Sequence, residues 1–73
     1  MSGYGVVLLY TTSSALRAEK ALVESGVEVK LIPTPRQFSS DCGLALRFPW
    51  QDRARVEELL AMLGLQVGGI HPL

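Results

Sequence analysis

Val6 to Tyr10, VVLLY, is a run of five apolar residues without alternation, and four hydroxyl residues, Thr11 to Ser14, follow it at once. A segment that is hydrophobic on both parities suits a central strand buried on both faces. Periodicity alone also fits a buried helix, but the shortness of the run and the hydroxyl cluster favour the strand. The hydroxyls are potential N-caps for the next stretch, TTSSALRAEKALVESG, which is rich in helix formers and stops at Gly26, the expected C′ glycine. On a 3.6-residue period Ala15, Ala18, Ala21 and Leu22 share one arc, and Arg17, Lys20 and Glu24 share the opposite one. Glu19 falls within the apolar arc, so it sits at the arc's edge with its carboxylate in water or meets a cation such as Arg36.

VEVKLI sets Val27, Val29 and Leu31 against Glu28, Lys30 and Ile32, the pattern of a strand with one buried face. Pro33 and Pro35 end it, because neither can donate to a ladder. LALRF then places Leu44, Leu46 and Phe48 on one face and Ala45 and Arg47 on the other. Pro49 suits a helix entry, and Val56, Leu59, Leu60 and Leu63 form an i, i+3, i+4, i+7 stripe before Gly64. Trp50 and Met62 lie outside that stripe, and Arg53 and Glu57 are spaced for an exposed i,i+4 pair. A short last strand is expected around Val67 to Ile70, weakened by Gly68 and Gly69. His71 is then a solvent-facing tail residue.

The order βαββαβ is a split βαβ pattern, and right-handed crossovers fold it into a four-stranded antiparallel sheet with both helices on one face. This is the ferredoxin-like α+β architecture, with residues 1–73 as one domain. A chain of 73 residues draws only about 3 to 5 kcal/mol from a single core, so a partner subunit would help. Strand one must turn either Val7 and Leu9 or Val6, Leu8 and Tyr10 away from the helices. That predicts an apolar patch on the open sheet face, near Arg47, as a homodimer interface.

Seven basic residues balance seven acidic ones. No net field or basic stripe draws a polyanion, so nucleic acid is not the expected partner. A hydrophobic fraction of 48% excludes disorder, and no internal repeat is present. The N-terminus has no basic leader and its apolar run is too short to span a bilayer, which points to a soluble, cytoplasmic protein with no membrane partner. Cys42 is the one cysteine. It can form no disulfide within the chain and no zinc-type set, so no metal and no cofactor is expected, and a reducing compartment fits.

Cys42 lies in PTPRQFSSDCG, an eleven-residue connection between strands that ordinarily need two to five. In the strand order 4-1-3-2, the start of strand three neighbours the end of strand one and the Thr11 to Ser14 turn. The thiol is thereby expected near the N-terminus of helix one, where free amides favour a thiolate. Arg36 would add to this effect and Asp41 would oppose it. Gly43 lets the backbone approach a ligand closely or adopt a positive φ. A lone cysteine is also a common small buried hydrophobe, so an inert structural thiol stands beside the reactive one.

AEKAL in helix one, LIPTPRQFSSDCGLALRF through the loop and strand three, and the terminal GGIHPL closely resemble the selenium/sulfur carrier-like family of small bacterial and archaeal domains. The resemblance covers nearly the whole chain. Its specific part is Pro-x-Pro-Arg followed by Ser-x-x-Cys-Gly. It implies a ferredoxin-like domain in which Cys42 carries sulfur or selenium as a persulfide or selenosulfide. Arg36 and Gly43 would be its motif neighbours and Ser39 or Ser40 its hydroxyl. The better-known sulfur-relay carriers have Cys-Pro-x-Pro at a helix start, whereas here the prolines precede the cysteine and a strand follows it.

Two functions follow. In the first, Cys42 accepts sulfane sulfur or selenium from a donor enzyme and hands it to an acceptor protein, so the chain is a carrier and not a catalyst. Arg36, Ser39, Ser40, Gly43, Thr11, Thr12 and Ser13 would support the anion, and no metal takes part. In the second, the chain is a small dimeric binding or regulatory module with a structural cysteine.

Overall fold

The computed structural model describes residues 3–38 and 43–73. The elements follow in the order β1 (Tyr4–Leu9), α1 (Thr12–Glu24), β2 (Lys30–Pro33), β3 (Leu44–Pro49), a 3-10 turn (Trp50–Asp52), α2 (Arg53–Leu63) and β4 (Val67–Pro72). The sheet order is β2-β3-β1-β4 and every pairing is antiparallel. This is the βαββαβ ferredoxin-like fold.

The pleat sorts the strands into cross-sheet rows. Leu31, Leu46, Val7 and Ile70 lie side by side across the four strands. All four belong to or pack against the cluster that also takes Leu9, Ala15, Ala18, Leu22, Val27, Phe48, Val56 and Leu60. This is the layer between sheet and helices. Alanines at 15 and 18, both fully buried, let α1 lie close to the sheet. The next row, Ile32, Ala45, Leu8 and Gly69, points to the opposite face. There Val6, Leu8 and Ala45 form a second cluster with Ile32, Phe38 and Leu73 packed on it.

Both helices stop in the same way. The Gly26 amide bonds the Val23 carbonyl at 3.0 Å and the Val27 amide bonds the Leu22 carbonyl at 2.9 Å. With Gly26 at φ +86° this is a Schellman motif, and its hydrophobic pair, Leu22 and Val27, is part of the core. Gly64 at φ +69° ends α2 likewise, with the Leu65 amide on the Leu60 carbonyl. The motif also explains why β2 begins at Lys30 and not at Val27, since Val27 completes the helix end before the chain reaches the sheet. Pro33 is the last residue of β2, opposite Leu44, a place open to proline because β2 is an edge strand. The expected helix from Trp50 opens instead with the 3-10 turn, where Trp50 packs on the core and stacks on Phe48 at 6.0 Å. Glu19 is half-buried at the edge of the apolar arc and, among the described residues, makes no ion pair with Arg36. Arg53 and Glu57 form the expected exposed pair at 3.8 Å.

Leu22 is fully buried and serves both the core and the helix stop. Leu22→Ala should cost about 2 to 5 kcal/mol, most of what a domain of this size holds. Urea denaturation followed by circular dichroism checks this; a loss under about 1 kcal/mol, the range of an ordinary surface change, would contradict the packing.

Candidate functional site

Cys42, Ser39, Ser40 and Asp41 lie outside the described residues, so the site is built from its flanks. Gly43 immediately precedes β3, and its carbonyl accepts from the Thr34 amide at 3.0 Å. Ala45, two residues on, pairs with Leu8 near the end of β1. Gly43 is therefore at the same end of the sheet as the start of α1, the arrangement expected of this strand order. Thr11 caps α1: its Oγ1 accepts from the Ser14 amide at 3.0 Å and donates to Ser14 Oγ at 3.0 Å. Thr11 and one first-turn amide are thus engaged in the cap, and Thr12 and Ser13 form the first exposed helical turn. Arg36 is exposed in a turn closed by the Phe38 amide on the Pro35 carbonyl at 3.0 Å.

That turn sends the chain back over the sheet. Phe38 stacks on His71 with ring centroids 4.6 Å apart and planes 12° from parallel. The connection from β2 to β3 thus reaches β4, two strands beyond β3 and roughly 10 Å away at the usual strand spacing. His71 is no tail residue: it pairs with Val6 inside β4 and is half-buried. Gly69, at φ +152°, makes its seat, because a Cβ there would come within 2.6 Å of His71 Nε2. Neither Phe38 nor His71 stood out in the sequence as a site residue. The available signals were a lone aromatic in a polar loop and a glycine pair just before the only histidine.

The open face consequently differs from the expected apolar patch. Val6 and Leu8 do turn away from the helices, but they are 0% and 3% exposed, under Phe38 and Leu73. Phe38 and Leu73 thus cover the part of that face, Val6 and Leu8, that a second copy was expected to cover. Gly43 also departs from expectation. Its φ is not positive, and a Cβ there would meet nothing within 4 Å, so the described fold by itself does not require a glycine at 43.

Among the described residues no group of three or more metal-binding side chains occurs, and no helix is long and apolar enough to cross a membrane. Residues 4–72 match the family described as "Putative Se/S carrier protein-like". The chain belongs to this family. No curated protein and no solved structure matches it. The Se/S carrier-like match spans β1 to β4 and therefore includes the cysteine loop, its Arg36 and Gly43 flanks, and the β4 residues that hold Phe38.

Two outcomes follow for this Se/S carrier-like domain. Gly43→Ala should leave thermal stability within about 1 kcal/mol of wild type, and a larger loss in a melting experiment would show that the fold itself requires this glycine. Gly69→Ala should lower the melting temperature and, in side-chain NMR, separate the Phe38 and His71 rings; an unaltered ring contact would refute the seat.

Proposed function

We propose that the chain is a carrier that takes sulfane sulfur or selenium on Cys42 and gives it to an acceptor protein. Membership of the Se/S carrier-like family carries this reading, together with a lone thiol in the motif loop that ends at Gly43. A lone thiol suits cargo, because no second cysteine of the chain can discharge a persulfide as an internal disulfide.

The exchange needs no group beyond thiols. The Cys42 thiolate attacks the outer sulfur of a donor persulfide, R–S–SH. The donor S–S bond breaks, its electron pair leaves with R–S⁻, and Cys42–S–SH is formed with no net oxidation. An acceptor thiolate reverses the step, and a selenosulfide passes selenium in the same way. The chain is loaded and unloaded and does not turn over a substrate. A cytoplasmic, reducing setting keeps the thiol available.

Attack requires the thiolate, which is favoured by nearby cations and by amide dipoles. Arg36 is the exposed cation of the motif, and the start of α1, with Thr12 and Ser13, is at the end of the sheet that Gly43 occupies. Ser39 or Ser40 supplies a hydroxyl to the outer sulfur. Arg36→Ala should then raise the thiol pKa, and wild-type Cys42 should titrate below the free value of about 8.5.

Incubation with a persulfidated cysteine desulfurase tests the whole reading. Intact mass should rise by one sulfur atom, thiol reductant should remove it, and Cys42→Ser should abolish it with the fold unchanged. An unmodified wild-type mass under these conditions, with an alkylation profile of an ordinary thiol, would sink the carrier.

A further inference from the structure

None of the four strands contains an aspartate or glutamate. Their two formal cations, Lys30 on β2 and Arg47 on β3, are directly opposite each other in the register. Both share the parity of Ile32 and Ala45, so both lie on the open face away from the helices. Opposed side chains on antiparallel strands have Cβ atoms only about 5 Å apart, and like charges there destabilise the sheet. Among the described residues neither cation is in an ion pair. Glu28, the nearest carboxylate along the chain, precedes the strand and borders a shallow pocket with Tyr4, Pro49 and Trp50.

Arg47 is held in place: it is half-buried, and its guanidinium carbon stands 4.4 Å above the centre of the Tyr4 ring, a cation–π contact that keeps the head group ordered. Val6 and then His71 complete the row across β1 and β4. An edge lysine alone could be explained as protection against strand-to-strand aggregation. That does not account for Arg47 on an interior strand opposite it, where a glutamate would have kept the edge charged and made a favourable pair.

We infer that the Lys30–Arg47 pair, with Tyr4 ordering Arg47, is a docking surface for an acidic segment of a protein partner. The carboxylates of that segment would supply the counter-charge that the sheet lacks. A protein segment fits better than a small free anion because two cations on an open, water-covered face hold a lone anion poorly, whereas a protein brings additional contact area and excludes water. The inference rests on the carrier reading only in taking that partner to be the donor or the acceptor.

A capped hexaglutamate peptide is a suitable probe, titrated into ¹⁵N-labelled protein at about 20 mM and about 150 mM salt. Shifts should centre on Tyr4, Lys30 and Arg47 and weaken at the higher salt. The Lys30→Gln/Arg47→Gln double variant should bind at least about tenfold more weakly, a loss expected when charge-assisted contacts are removed. Cys42→Ser, which can carry no cargo, should bind as wild type, so failure of the carrier chemistry and failure of this surface are separate results. Free of any peptide, Lys30→Glu should raise the melting temperature at low salt and lose most of that gain at high salt. The inference is overturned by shifts centred on Arg17, Lys20, Arg53 or Arg55, by inorganic phosphate binding as tightly as the peptide, or by Lys30→Glu lowering the melting temperature.

Discussion

Strand β1 has to keep water from both of its faces, because Val6, Val7, Leu8 and Leu9 are all buried. Each such side chain contributes about 1.5 to 3 kcal/mol when fully covered. The helices cover only Val7 and Leu9. Val6 and Leu8 are covered from the opposite side by Phe38 and Leu73, one from the β2–β3 connection and one from the end of the chain. Central placement of β1 therefore requires the motif loop to fold back over the sheet, so the segment that leads into the cysteine is also part of the packing.

This coupling gives the candidate site its character. The loop starts at the edge of the sheet, turns at Pro35 to Phe38 and is secured on β4 through His71. Aromatic stacks of this kind add about 0.5 to 1.5 kcal/mol beyond their buried area. Gly43 returns the chain to β3, tied to Thr34. The same open face carries Lys30 and Arg47, on the half of the sheet nearer Tyr4.

The residues that set the architecture were legible because they repeat with simple periods. The Ala15, Ala18 and Leu22 arc, the Val56 and Leu60 stripe, the Leu46 and Phe48 alternation and the two stop glycines all act within one element. The misreadings lie where one residue serves two elements. Val27 has a strand's period but belongs to the Schellman ending of α1. His71 follows two glycines, which weaken a strand in isolation, yet those glycines make the bulge and the ring seat on β1. Phe38 has no periodic neighbour at all. Lys30 and Arg47 each look like an ordinary exposed strand residue until the register sets them side by side.

By itself the sequence determined the order of elements, which residues enter the core, and the motif of the one cysteine that ties the chain to the Se/S carrier-like family. Hydrophobic period, caps and proline positions are local properties and survive without any knowledge of the fold. Only the tertiary structure decided that Phe38 and Leu73 cover Val6 and Leu8 on the open face, that His71 is a partner of Phe38, and that two like charges meet on adjacent strands. Those facts depend on strand register and on contacts between residues far apart in the chain, and no local pattern encodes them.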